Sequence, residues 1–169
     1  MKRGFLIGFV LFLTLAVLTP VPALAAKSVP FSANGDISFI SAGTVKPAGD
    51  SGRWVVVERE IKGTFAGPDI SGPFTMAYKA NVELATQAGN LRGTLTVGEK
   101  ILNVNGKIEV GLTPAGYPGL IINGHWNFTR GAKGEGDLTA WAIPIVDPDT
   151  GHVLAIPFSF VNLTGQWQP

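Results

Sequence analysis

The sequence predicts an all-β protein: an eight-stranded antiparallel up-and-down barrel, with a two-sheet β-sandwich as the alternative arrangement of the same strands. Three observations carry this. Apolar and polar residues alternate with period two over many stretches. In Pro73 to Thr86, Phe74, Met76, Tyr78, Ala80, Val82 and Leu84 share one face, against Thr75, Ala77, Lys79, Asn81, Glu83 and Ala85 on the other. Glycine and proline break the chain at short intervals, 22 and 12 of them in 169 residues, and no segment beyond the N-terminal apolar run carries a helical period. The intervening turns are too short for the crossovers that parallel strands require, so strands adjacent in sequence must pair antiparallel, and a long meander loses its two exposed edges only by closing on itself.

Taken in order, residues 1–25 stand apart from the rest. Lys2 and Arg3 precede an apolar run from Phe5 to Leu18, and Ala23-Leu24-Ala25 follows Pro20 and Pro22. This is the layout of a secretory signal peptide. The run of about 14 residues is short of the roughly 20 that span a bilayer. Cleavage near Ala25 is therefore expected, leaving a secreted single domain over 26–169, extracellular or periplasmic, with no transmembrane segment. No cysteine follows the apolar run, which excludes a lipoprotein anchor.

The first strand is expected from about Pro30 to Ala42, then a loop containing Pro47, Gly49 and Gly52, then a second strand from about Arg53 to Ala66 whose centre, Trp54-Val55-Val56-Val57, is apolar on both faces. Gly67 to Gly72 turns into the third, Pro73–Thr86, and Gln87 to Asn90 into the fourth, Leu91–Val97. Gly98-Glu99-Lys100 reads as a tight hairpin before the fifth, Ile101–Thr113. The sixth runs from Leu120 to Arg130, the seventh from about Gly134 to Val146, and the eighth from His152 to about Trp167. Gly35, Gly93, Gly106 and Gly124 fall on apolar faces, where a strongly coiled wall needs small residues.

Composition removes several functions. Without Lys2 and Arg3 the domain has 11 basic and 12 acidic residues, a balance that gives no electrostatic footprint for nucleic acid. There are no cysteines, so thiolate metal sites and thiol nucleophiles are absent, and two histidines, His125 and His152, cannot make a three-histidine zinc site. No cofactor motif is present. The aromatics do not gather into interfacial girdles, so the oily face is expected to point inward rather than to lipid.

Arg59 shares parity with Val55, Val57 and Ile61 and is expected to point into the lumen, where a guanidinium needs an acceptor. Glu135 and Asp137 share parity with Trp141 and would supply it if that face of the seventh strand is the inner one. Arg59, Tyr78, Trp126, Asp137 and Trp141 are therefore the candidate ligand-contacting residues, a few polar groups in an apolar cup that suits a small apolar ligand. Glu58 and Glu60 share a face that continues through Lys62 and reads as solvated exterior. His125, between Asn123 and Asn127, also reads as an outer residue. Asp147 to His152 has turn chemistry and lacks the spacing of a calcium loop. No triad or other catalytic constellation is legible.

The last two strands are apolar on both faces, more than one lumen can bury. Ile143, Ile145, Ile156, Phe158 and Phe160 are accordingly candidates for an interface, with a homo-oligomer as its default form. Pro144 and Pro157 lie within these strands and mark bulges, ends or edges.

Gly63-Thr64-Phe65-Ala66-Gly67 resembles the Gly-x-Phe-x-Gly strand end of allene-oxide-cyclase-like barrels, and Gly52-Arg53-Trp54 resembles the Gly-x-Trp of lipocalins. Together with the glycine-punctuated meander, the chain is similar to secreted calycin-type and cyclase-like barrels. The resemblance implies the fold, with ligand binding by analogy. Three readings follow: a secreted small-ligand binder, a self-assembling surface or matrix subunit, and an isomerase-like or cyclase-like barrel enzyme.

Overall fold

A computed structural model describes residues 27–150 and 152–168. The expected signal peptide lies outside the described residues. Nine strands follow in order: β1 (Val29–Ile40), β2 (Thr44–Ala48), β3 (Trp54–Ala66), β4 (Gly72–Glu83), β5 (Ala88–Val97), β6 (Lys100–Leu112), β7 (Pro118–Arg130), β8 (Lys133–Val146) and β9 (Val153–Gln168). All pairings are antiparallel, neighbours in the meander are hydrogen-bonded, and β1 pairs with both β9 and β3. Eight strands thus close a barrel and the sandwich alternative falls. The ninth is a correction: the stretch around Pro47, expected as loop, is the short strand β2, which pairs with Trp54–Glu58 of β3 outside the closed ring. Pro47 is tolerated because β2 is an edge, where a missing N–H costs no ladder bond.

The eight ring strands start and stop within a few residues of the expected positions. At the hairpin between β5 and β6, Val97 faces Lys100, and Gly98 alone of the two central residues has positive φ (56°), the signature of a type II′ turn.

Closure rests on β1. Its first half, Val29–Gly35, pairs with β9; its second half, Asn34–Ile40, pairs with β3. The ladder with β9 stops at Val161, and a side chain takes over. Ser159 Oγ accepts a hydrogen bond from the Ile37 N–H (2.8 Å) and donates one to the Ile37 carbonyl (2.9 Å). Beyond that point β9 leaves the ring and continues only as the partner of β8.

Register fixes the barrel's shape. Gly35 faces Phe65 across the seam. Followed the other way, through Val161, Ala140, Ile122, Ile108, Gly89 and Val82, the same row reaches Val55. The offset from 55 to 65 is a stagger of ten residues, about 33 Å at about 3.3 Å per residue. Against eight strands spaced about 4.8 Å, the strands tilt about 40° from the axis.

The oily face points in. Phe74, Met76, Tyr78, Leu95, Leu102 and Trp126 are all buried. One half of the lumen is filled by aromatic rings: Phe31 lies 4.9 Å from Trp126, 5.9 Å from Phe128 and 5.3 Å from Trp167, centroid to centroid. Phe65 packs on Phe74 at 4.6 Å. Outward positions are polar and exposed, as for Lys79, Arg92, Asn105 and Asp137. That is the opposite of a lipid-facing wall. No helix among the described residues is long and apolar enough to cross a membrane.

Candidate functional site

Arg59 and Tyr78 are paired in register on β3 and β4, and both belong to the inner rows. The same row runs on through Gly93 and Val104 to Trp126. Arg59 is half-buried, and its Nε is sealed from solvent without a hydrogen-bond partner among the described residues. On its other side the turn between β1 and β2 presses against it. A Cβ on Gly43 would lie 2.6 Å from Arg59 Cγ and 2.0 Å from the Glu58 carbonyl oxygen, and Gly43 has φ of 64°. Only glycine fits there. The turn is pinned by Ser41, whose N–H donates to the Glu60 carbonyl (2.8 Å) and whose Oγ accepts from the Glu60 N–H (2.8 Å). Tyr78 is buried. Desolvation pushes its hydroxyl above the usual tyrosine pKa, and the Arg59 charge pulls partly the other way.

Trp126 lies in the same inner row, but its indole is already engaged: Nε1 donates to the backbone carbonyls of Asp137 (3.0 Å) and Thr164 (3.2 Å). Asp137 and Trp141 lie on the outer side of the wall. Asp137 Oδ1 is 2.6 Å from His125 Nδ1, and Trp141 stacks on Phe160 with centroids 6.3 Å apart. The expectation that Glu135 or Asp137 serves Arg59 is therefore corrected. The inner face of β8 is Leu138, Ala140 and Ala142. Small residues line it because the aromatics of β1, β7 and β9 already occupy the lumen.

Glu58 and Glu60 belong to the solvated exterior and pair with Lys79 and Lys62, each at 3.0 Å. The Lys79 ammonium beside Glu58 holds its carboxyl below the usual carboxylate pKa. Asp147 closes a turn, its Oδ1 accepting from the N–H groups of Asp149 (2.8 Å) and Thr150 (3.2 Å). These bonds lower its pKa.

Sequence reasoning missed a second feature. Two open clefts, about 720 and 870 Å³, lie along the outer wall and share Arg92 and Asn105. The first reaches from Glu58 on β3 to Asn105 on β6, and the second from Asn90 on β5 to Thr139 on β8. Glycines facing inward draw the wall in beneath them. A Cβ on Gly106 would lie 2.6 Å from Gly124 Cα and 2.3 Å from the Asn123 carbonyl oxygen, in the floor of the second cleft. The signal was available: the hairpin pairing Val97 with Lys100 sets the count that aligns Arg92 with Asn105.

The outer faces of β8 and β9 carry the expected apolar patch in part. Ile145 is 51% and Phe158 60% exposed, while Ile143 and Phe160 are half-buried beside Trp141. Ile156 departs from this set and packs partly against the core. The register shifts around Ile145, opposite the segment holding Pro157, turn it inward.

No protein-family model, curated protein or solved structure matches this chain. The closed eight-stranded antiparallel barrel is consistent with the architecture of calycin-like proteins, and the likeness rests on that architecture.

Proposed function

We propose that the protein is a secreted barrel that binds a small amphipathic acid, with Arg59 as the anchor for the acid group. The observation that carries this reading is the sealed Nε of Arg59 with no acceptor among the described residues. Leaving a buried charged donor unpaired is costly, and a ligand carboxylate supplies the missing acceptor. Tyr78, in register beside it, offers a second polar group. On the side of Arg59 away from the aromatic cluster, Val57 faces Ala80 and Val55 faces Val82, a wall of small side chains suited to an apolar body. Export by the N-terminal segment belongs to the same proposal.

Dye displacement with a carboxylate amphiphile such as dodecanoate tests it. Saturable displacement is expected, and Arg59→Met should weaken it about tenfold or more, the value of one charge-assisted hydrogen bond. Absence of saturable displacement, or equal affinity in the variant, would refute the reading.

A second reading rests on a separate observation, the exposure of Ile145 and Phe158. On this reading the β8–β9 face is where copies of the chain associate. Light scattering over a concentration series is the test, and a strict monomer removes it.

A further inference from the structure

The two outer clefts form one track. Register aligns Glu58, Lys79, Arg92, Asn105, His125 and Asp137 as a single row across β3 to β8. All six side chains point outward and line one or both clefts. Five inter-strand steps at about 4.8 Å make the row about 24 Å long before curvature. The floor under its centre is the Gly106–Gly124 pair, where the wall is drawn in.

The charges along the row are not equivalent. Lys79 is taken up by Glu58 (3.0 Å), and Asp137 by His125 (2.6 Å). Between these pairs lie Arg92 and, one row along on β6, Lys107. Neither has a carboxylate within ion-pair distance among the described residues. Around them stand Asn90, Asn105 and Asn123. Each amide offers both a donor and an acceptor, as does the His125–Asp137 pair. Hydroxyl groups are likewise donors and acceptors, whereas phosphodiesters present acceptors alone. The track therefore complements a chain rich in hydroxyls that carries negative charge at its centre. The step between strands is close to the length of one sugar ring in an extended chain.

From this geometry and charge arrangement we infer that the outer wall over β3 to β8 binds an acidic oligosaccharide, with a uronate carboxylate between Arg92 and Lys107 and neutral hydroxyls on the asparagines. The anchors of this site, Arg92 and Lys107, are exposed outward side chains, whereas Arg59 and Tyr78, which also line the first cleft, belong to the inner row.

Affinity electrophoresis or titration calorimetry on the purified protein, with oligogalacturonate as probe, tests it. Neutral dextran oligomers and a single-stranded DNA serve as comparators. Saturable binding of oligogalacturonate is expected, with dextran at least about tenfold weaker. Arg92→Gln with Lys107→Gln should weaken the uronate binding by about tenfold or more. Both residues are exposed, so the double variant keeps the fold, which far-ultraviolet circular dichroism checks. No saturable binding, equal binding by the double variant, equal binding of dextran, or tighter binding of DNA would each overturn the inference.

Discussion

The drawn-in wall is the feature whose energetics can be worked most directly. Two glycines on β6 make a matched pair. At Gly106 a Cβ would sit 2.3 Å from the Asn123 carbonyl oxygen and 2.6 Å from Gly124 Cα, both backbone atoms that cannot rotate away. At Gly111 the nearest atom is Ile121 Cδ1 at 3.6 Å, ordinary contact. Gly106→Ala therefore forces β6 and β7 apart locally, an overpacking cost of about 1–3 kcal/mol. Gly111→Ala gains roughly 0.5–1 kcal/mol, because alanine loses less backbone freedom on folding than glycine. For a domain of this size the two melting temperatures should differ by roughly 5–15 °C. Urea and thermal unfolding followed by tryptophan fluorescence read this out, since Trp126 is buried in the next strand. If Gly106→Ala is as stable as Gly111→Ala, the wall is not closely packed at the glycine pair, and the account of the clefts fails with it.

Other expectations concern the seam, the lumen and the outer patch. Ser159→Ala removes a side chain bonded to both the N–H and the carbonyl of Ile37, and should cost about 1–3 kcal/mol and speed hydrogen exchange at the Ile37 amide. Trp126→Phe keeps the ring packing but loses the bond shared by the Asp137 and Thr164 carbonyls. A loss of about 1–2 kcal/mol in urea unfolding would bear this out, and no loss would contradict it. Tyr78 holds its proton more tightly folded than unfolded, so its stabilising contribution is complete below the usual tyrosine pKa of about 10 and falls as pH rises through that value toward the raised one. A plot of urea midpoint against pH from about 8 to 11 should fall less steeply for Tyr78→Phe than for the wild type. Phe158→Lys should leave stability within about 0.5 kcal/mol, because the ring is 60% exposed, while abolishing any self-association seen by light scattering.

Most of the ring was legible in the sequence because its strands obey two simple constraints. Alternation identified which residues of β4, β5, β6 and β7 share a face, and the glycine-rich turns located their ends. What alternation does not supply is which face is inside when both are apolar. On β8 the bulky Trp141, Ile143 and Ile145 face out and Leu138, Ala140 and Ala142 face in. Lumen volume is shared among strands, and Phe31, Trp126, Phe128 and Trp167 had already claimed it. Small residues were needed on the remaining wall, a requirement visible only once the strands are assembled. The strand β2 was hidden because an edge of five residues containing Pro47 has the composition of a loop. The outer row from Glu58 to Asp137 was missed for a third reason, since only its step from Arg92 to Asn105 follows from a tight hairpin legible in the sequence. Its members come from six strands and become neighbours only through register.

The split partnership of β1 has a consequence for how the chain reaches its final state. Apart from β1–β3 and β1–β9, every pairing joins strands adjacent in sequence, so seven hairpins can zip as each turn forms. Asn34–Ile40 can dock on β3 at short range as well, which leaves Val29–Gly35 waiting. Its partner is the last strand: Val29 faces Trp167, 138 residues downstream. Long-range closure of this kind pays its loop entropy before any contact rewards it, and it sets the pace of folding. Until β9 is made, the barrel is a curled sheet with two open edges and its aromatic interior accessible, Trp126 still lacking the Thr164 carbonyl. The chain is thus open to aggregation, and to capture by a chaperone, up to the moment β9 pairs with β1.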